Sequence, residues 1–146
     1  MAKVSIIYWS GTGNTEAMAN LIAGGASSAG AEVELKTVDK AAASDLDTAD
    51  VTALGCPSMG SEVLEESEFE PFIASIEGQV SGKKLALFGS YGWGDGEWMR
   101  DWTDRMTQAG AVLVAESLII NEAPEGGDAE QCEAFGAAIA KTEGSQ

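Results

Sequence analysis

The chain has 146 residues, 45% of them hydrophobic and 22% charged, which is enough for one folded domain with a buried sheet. Its formal net charge of −16, from 8 Lys and Arg against 24 Asp and Glu, excludes nucleic acid as a partner and disfavours an anionic membrane surface. This acidity is typical either of a very soluble protein or of one that is steered toward basic proteins.

Two residue types limit the chemistry. The sequence has no His, the commonest general base and metal ligand, so hydrolytic and metal chemistry are disfavoured. Cys56 and Cys132 form neither a CxxC pair nor a zinc pattern. The N-terminus lacks a signal-peptide core, and no apolar run could span a membrane. We therefore expect a cytoplasmic protein with reduced cysteines and a bound organic cofactor.

Short apolar runs alternate with segments of helical period along the chain. Runs at 4–9, 51–55 and 84–89 are continuous, as in strands buried on both faces of a parallel sheet. Residues 31–37 predict an edge strand with Val33 and Leu35 facing inward, and residues 111–120 predict an unbroken fifth strand. The helical segments carry Met18, Leu21 and Ile22; Phe69, Phe72, Ile73 and Ile76; Met99, Trp102 and Met106; and Cys132, Phe135 and Ile139.

This order of elements predicts one domain over residues 1–146, an α/β fold whose five-stranded parallel sheet is doubly wound with helices on both faces. Gly30 and Gly110 are expected at helix ends, where positive φ is needed. Ligands of such sheets bind beyond the carboxyl ends of the strands, where the winding direction reverses. The loops after strands one, three and four are therefore the candidate site.

The loop after strand one predicts a phosphate site. Its hydroxyl groups can donate hydrogen bonds, its glycines allow close approach of backbone N–H groups, and the following helix N-terminus favours an anion. No Lys or Arg occurs between Lys3 and Lys36, so the loop is not a Walker motif, and it lacks the GxGxxG fingerprint. A Ser/Thr cluster that only caps a tight turn is the competing interpretation. The residues are Ser10, Gly11, Thr12, Gly13, Asn14 and Thr15.

The loops after strands three and four predict a site for a flat ligand. Large aromatics, Tyr91, Trp93 and Trp98, stand among glycines in residues 89–98. An isoalloxazine ring could stack between Trp93 and the flexible, polarizable side chain of Met59. The competing interpretations are an exposed hydrophobe for Trp93 and core packing for Met59.

In this order and spacing the three loops resemble those of the flavodoxins, and the resemblance covers the whole chain. The segments that carry it are Ser10-Gly11-Thr12-Gly13-Asn14-Thr15, Met59-Gly60-Ser61-Glu62 and Gly89-Ser90-Tyr91-Gly92-Trp93-Gly94-Asp95-Gly96. The resemblance implies the flavodoxin-like strand order 2-1-3-4-5 of a short-chain member. It also implies a monomer with non-covalently bound FMN, which carries single electrons at low potential between larger redox enzymes and is not itself an enzyme.

The resemblance also implies roles for individual residues. Residues 10–15 would hold the FMN phosphate, and Met59 and Trp93 would flank the ring. Gly60 would offer its carbonyl to flavin N5 on one-electron reduction, and Glu62 would hydrogen-bond the pyrimidine edge. Pro57 stands where many relatives have a Ser that donates to the phosphate, and whether Ser58 replaces that donor is open. Ser61, Ser90, Tyr91, Gly92 and Gly94 complete the expected cofactor contacts.

Carboxylates surround the predicted ring site. Residues 41–82 hold nine carboxylates and no cation, and Asp95 and Glu97 follow in the third loop. At about 10 Å and an effective dielectric of about 20, each would oppose a negative charge on the ring by on the order of 1 kcal/mol. The same acidity would steer the protein toward basic docking patches on its partners. For Glu68 and Glu70, a solvated helix face is the competing interpretation.

Three other functions are weighed against an electron carrier. An FMN-dependent reductase on the same fold would need a substrate pocket over the flavin. A phosphate-relay receiver domain would need acidic residues after strands one and three, where this chain has Trp9-Ser10 and Gly55-Cys56. A cysteine phosphatase would need an Arg shortly after Cys56, and none follows.

Overall fold

The computed structural model describes residues 3–11, 13–59, 63–92 and 94–141. Its strands are β1 Lys3–Tyr8, β2 Glu32–Thr37, β3 Val51–Gly55, β4 Lys84–Tyr91, β5 Val112–Leu113 and β6 Leu118–Asn121. Its helices are α1 Asn14–Ser28, α2 Ser44–Thr48, α3 Phe69–Ile76, α4 Glu97–Gln108 and α5 Gly127–Ala140.

The strands form one parallel sheet in the order β2-β1-β3-β4-β5, with β6 continuing the fifth position beside β4. The predicted fold class and strand order are confirmed. The chain winds outward from β1 in one direction and from β3 in the other, so the winding reverses between these two neighbours. Their carboxyl ends therefore define the crevice where a ligand of this fold binds.

Two apolar layers cover the sheet, and successive residues of a strand enter opposite layers. Ile6 packs with the layer formed by α1 and α5, whereas Ile7 packs with the layer formed by α3 and α4. The first layer contains Met18, Ile22, Cys132, Phe135 and Ile139, and the second contains Phe69, Ile73, Ile76, Trp98, Trp102 and Met106. The helical faces predicted from the sequence are those that bury these residues. Gly30 and Gly110 adopt φ of 98° and 99°, as predicted for the helix ends.

The fifth strand is interrupted, so the prediction of an unbroken strand over 111–120 was wrong. Leu113 lies opposite Leu85, and Leu118 lies opposite Phe88, so five steps on the edge strand match three on β4. Val114 and Ala115 are consecutive, yet both pack on the α1 and α5 layer. This bulge removes regular pairing from the sheet edge, where an exposed ladder invites association with other chains.

The edge strand β2 also departs from prediction at one side chain. Val33 packs against the α1 and α5 layer as expected, but Leu35 is 38% exposed instead of facing inward. Because β2 is an edge strand, it has a neighbouring strand on one side only, which leaves its side chains more open to solvent than those of the central strands. The short helix α2 was not predicted. The buried carboxylate of Asp45 in this helix accepts hydrogen bonds from the Ala42 N–H and the Lys36 ammonium, each at 2.9 Å.

Candidate functional site

The loop after β1 brings backbone N–H groups together at the N-terminus of α1. The N-cap residue Gly13 has φ of 100°, a left-handed conformation that suits glycine, and it has no side chain of its own to cap the helix. The N–H groups of Gly13 and Glu16 both donate to Ser10 Oγ, at 3.1 and 3.2 Å. Two backbone donors thus converge on one small oxygen at the positive end of a 15-residue helix. This is the donor arrangement that a phosphate needs.

A buried pair of hydroxyl groups joins this loop to the end of β4. Thr15 Oγ1 lies 3.0 Å from Ser90 Oγ, and the two residues are 1% and 4% exposed. In sequence they are 75 residues apart. The pair sets the spacing between the first turn of α1 and the loop predicted to hold the ring.

The loop after β3 continues the pairing of the sheet before it turns back. Cys56 N–H donates to the Phe88 carbonyl at 3.1 Å, and Ser58 N–H donates to the Ser90 carbonyl at 3.0 Å. Met59 then pairs with Val63 in an antiparallel bridge, with its N–H 3.0 Å from the Val63 carbonyl. Residues 57–59 therefore lie beside the end of β4, with Met59 half-buried at the start of a chain reversal.

Strand β4 makes a close backbone contact near its carboxyl end. A Cβ on Gly89 would lie 2.1 Å from the Cys56 carbonyl oxygen, so β3 and β4 approach there as only glycine allows. The same carbonyl accepts a hydrogen bond from Trp98 Nε1 at 3.1 Å. Trp98 belongs to α4 and is 1% exposed, so it packs in the core and is not available to a flat ligand. Tyr91 is half-buried with its ring centroid 5.8 Å from that of Trp98.

A buried carboxylate holds the segment that follows Val63. Glu65 is 6% exposed, and its oxygens accept the N–H groups of Ser67, Glu68 and Phe69 at 2.8 to 2.9 Å, as well as the Ser67 hydroxyl. Its own N–H donates to Cys56 Sγ at 3.4 Å. Burial by itself raises the pKa of Glu65, but these hydrogen bonds outweigh it and leave that pKa below its ordinary value. Glu65 thus stays ionised and caps the start of α3.

Exposed acidic side chains lie at the starts of the helices that follow β3 and β4. We call Glu68, Asp95 and Glu97 the acidic rim. Glu68 accepts a hydrogen bond from Trp9 Nε1 at 3.0 Å, and Asp95 pairs with Arg100 at 3.0 Å. Glu70 differs from the rim, because Arg105 bridges it to Glu77 with contacts of 2.6 and 3.0 Å. Glu70 is therefore not simply part of a solvated helix face, because its ion pair with Arg105 links α3 to α4.

The described part of the predicted site lies at the carboxyl ends of the strands β1, β3 and β4. Eleven of the predicted cofactor residues fall in the described ranges: Ser10, Gly11, Gly13, Asn14, Thr15, Ser58, Met59, Ser90, Tyr91, Gly92 and Gly94. Thr12, Gly60, Ser61, Glu62 and Trp93 lie outside the described residues, so their roles stay predictions. Three further residues at this end of the sheet were not predicted as parts of the cofactor site: Trp9, Glu65 and Glu68.

Within the described ranges no cluster of His, Cys, Asp or Glu could hold a metal ion. The helices of this part of the chain include none long and apolar enough to cross a membrane. Both cysteines are buried and free. Burial raises the pKa of the Cys56 thiol to about 12 and that of the Cys132 thiol to about 11.

The fold is that of a doubly wound α/β protein, and the N–H groups of Gly13 and Glu16 form a set of donors that suits a phosphate at the switch point of its parallel sheet. A family model for the flavodoxins matches residues 6–136. The flavodoxin of Clostridium beijerinckii is 54% identical over 138 residues, which are 94% of this chain and 99% of that protein. The flavodoxin of Megasphaera elsdenii is 49% identical over 138 residues, or 94% of this chain and 98% of that one. A solution structure of two-electron reduced Megasphaera elsdenii flavodoxin matches with a TM-score of 0.87 at 48% identity, covering 94% of this chain and 98% of the other.

The chain therefore belongs to the flavodoxin family, and it is an FMN-binding electron carrier that acts with redox partners. This decides against the receiver-domain and phosphatase interpretations. The loop after β1 fits FMN, because its N–H donors at a helix N-terminus suit a phosphate monoester. The loop has no Lys, which a site for phosphate transfer would need.

Proposed function

We propose that residues 10–15 bind the FMN phosphate and that Met59 and Trp93 flank the flavin ring. The observation that carries this proposal is the convergence of the Gly13 and Glu16 N–H groups on one oxygen at the start of α1. Ser10 Oγ accepts both donors, so its hydroxyl hydrogen remains free to point at a phosphate oxygen. Thr15 acts from the same turn, with its hydroxyl held by Ser90.

The remaining predicted contacts belong to the same proposal. Gly60, Ser61 and Glu62 serve the ring from the second loop, and Tyr91, Gly92 and Gly94 serve it from the third. Thr12 adds a phosphate donor, and Ser58 replaces the donor that Pro57 cannot supply. The pairing of Ser58 N–H with the Ser90 carbonyl, at 3.0 Å, supports a fixed spacing between these two loops. The whole chain, residues 1–146, acts as one FMN-binding domain.

The carrier transfers one electron at a time at low potential. FMN supplies a ring that accepts and releases single electrons. The protein's part is to bind that ring, exclude water from it and surround it with negative charge. The formal charge of −16 supports a low potential, because each nearby carboxylate opposes negative charge on the ring. We infer that the chain works as a carrier and not as an FMN-dependent reductase, which its membership of the flavodoxin family supports.

Its partners are larger redox enzymes with basic patches that dock on the acidic rim, and it works as a monomer in the cytoplasm. Long-range attraction between the rim and a basic surface raises the rate of encounter and falls with ionic strength. The two free cysteines are compatible with a reducing compartment.

Stopped-flow electron transfer from the reduced holoprotein to a basic c-type cytochrome tests this mode of docking. The second-order rate constant should fall steeply as NaCl rises from low to high ionic strength. A rate constant that does not change with NaCl concentration would mean that the negative charge serves solubility and not docking. NAD(P)H oxidation by the holoprotein without an added reductase would instead support the reductase alternative.

A further inference from the structure

Trp9 connects the end of β1 to the start of α3 across the site. This residue is the last one before the phosphate loop, and its side chain is half-buried. Its indole Nε1–H donates to Glu68 Oε1 at 3.0 Å, over a separation of 59 residues. The two side chains thus form a direct link between the loop after β1 and the segment after β3.

The ring of Trp9 also limits where the phosphate loop can lie. An ideal Cβ on Gly11 would stand 2.9 Å from Trp9 Cη2 and 3.2 Å from Cζ3. The far edge of the indole therefore fills the space on one side of the Gly11 backbone. Any movement of the loop toward that side requires the ring to move too, and the bond to Glu68 opposes this.

Glu68 is a firm anchor because its own backbone is fixed. Its N–H donates to Glu65 Oε1 at 2.8 Å, and its carbonyl accepts the Phe72 N–H at 3.3 Å. Glu65 in turn is tied to Cys56 at the end of β3. The indole is therefore bound to a hydrogen-bonded cap of α3 and not to a free side chain.

We propose that Trp9 and Glu68 are positioning residues that hold the phosphate loop ready for FMN and so set the preference for FMN over riboflavin. A loop that is ordered before FMN binds loses less conformational entropy on binding, so the free energy of binding is more favourable. Since only FMN carries the phosphate, the smaller entropy loss strengthens FMN binding and leaves riboflavin binding unchanged. The inference rests on the proposed assignment of residues 10–15 to the phosphate.

Charge alone would give Glu68 the opposite effect. A carboxylate near a phosphate repels it, so simple removal of the charge should tighten FMN binding. Loss of the hydrogen bond should instead weaken FMN binding, because the Trp9 indole N–H then has no acceptor to hold the ring in place. Glu68→Gln and Glu68→Ala remove the same charge, but only glutamine keeps an oxygen for Trp9, so the two substitutions separate these effects.

The test is titration of the apoprotein with FMN and with riboflavin by fluorescence quenching. Glu68→Ala and Trp9→Phe should each raise the Kd for FMN by about three- to tenfold, as expected for one exposed hydrogen bond. Glu68→Gln should bind FMN at least as tightly as the parent. All three should bind riboflavin within about twofold of the parent, which also shows that the ring site is folded. Glu66→Ala is the matched control, because it removes an exposed neighbouring carboxylate without affecting Trp9, and it should not weaken FMN binding.

The double variant Trp9→Phe with Glu68→Ala checks that the two residues act together. Its Kd for FMN should lie within about twofold of the Trp9→Phe value, because the second change removes an acceptor that has already lost its donor. Equal effects of Glu68→Ala and Glu68→Gln, equal losses for FMN and riboflavin, or multiplicative losses in the double variant would each overturn the proposal. A parent that binds both flavins equally would instead refute the phosphate assignment itself.

Discussion

The hydroxyl of Thr15 lies 3.0 Å from the hydroxyl of Ser90, and both residues are buried. This contact joins the first turn of α1 to the end of β4, which are the supports of the proposed phosphate and ring loops. One hydroxyl donates to the other, so the pair shares a single hydrogen bond and leaves one hydrogen for a further acceptor.

Removal of the Thr15 hydroxyl should therefore weaken FMN binding. Thr15→Val keeps the side-chain shape but leaves Ser90 without its partner and removes a donor, at a cost of roughly 1–3 kcal/mol. Calorimetric titration of the apoprotein with FMN measures this loss. Thr107→Val is a suitable control, because the Thr107 hydroxyl donates to the Thr103 carbonyl on the exposed face of α4. Equal affinity of Thr15→Val and the parent would remove Thr15 from the site.

Glu65 should make stability depend on pH below neutrality. Its pKa is lower in the folded protein than its ordinary value of 4.5, so its stabilisation is complete above about that pH and is lost as pH falls through the folded pKa. Glu65→Gln should lower the free energy of unfolding at pH 7 by roughly 1–3 kcal/mol, since an amide cannot accept all of the hydrogen bonds. Urea titrations at a series of pH values should show this difference shrinking below pH 4.5. The exposed Glu66→Gln is the control, and a deficit of Glu65→Gln that does not change with pH would contradict the assignment.

The thiols of Cys56 and Cys132 should be inert in the folded protein. Both are fully buried, and burial raises their pKa values to about 12 and about 11, so neither forms thiolate at pH 8. Ellman's reagent should find no reactive thiol in the native protein and two per chain in guanidinium chloride. Rapid reaction of either thiol before unfolding would mean that its side of the core opens readily.

Trp98 and Trp102 form a matched pair for a test of core hydrogen bonding. Each is 1% exposed, but only Trp98 donates its indole N–H, to the Cys56 carbonyl, whereas Trp102 Nε1 has no partner among the described residues. Trp98→Phe should thus destabilise the protein by about 1 kcal/mol more than Trp102→Phe. Chemical unfolding of both variants measures the difference. A larger loss for Trp102→Phe would mean that ring packing, which includes its edge contact with Phe69 at 5.4 Å, outweighs the hydrogen bond.

Residues whose role depends on local pattern were predictable from the sequence. The continuous apolar runs of β1, β3 and β4 indicated central parallel strands because both faces of such strands are buried. The cluster from Ser10 to Thr15 indicated an anion site because its hydroxyls and glycines precede a helix. The central strands were therefore predicted correctly, whereas the role of residues 10–15 in binding FMN stays a prediction.

Features that depend on register or on distant contacts were not predicted. The prediction of one strand over 111–120 missed the step between the Leu113 and Leu118 pairings, although Glu116 and Ser117 interrupt the apolar residues there and were a weak signal for it. The bond between Trp9 and Glu68 joins residues 59 positions apart, and nothing in either local segment indicates the other. The capping role of Glu65 had a weak signal, as an acidic residue shortly before the predicted α3 helix.

We propose that backbone and hydroxyl donors at the start of α1 bind the phosphate of FMN. The most direct measurement compares the Kd values of the apoprotein for FMN and for riboflavin under identical conditions. We predict one FMN per chain and at least about 100-fold weaker binding of riboflavin, because the loss of the phosphate leaves charge-assisted hydrogen bonds unmade. Equal affinities for the two flavins would contradict the claim.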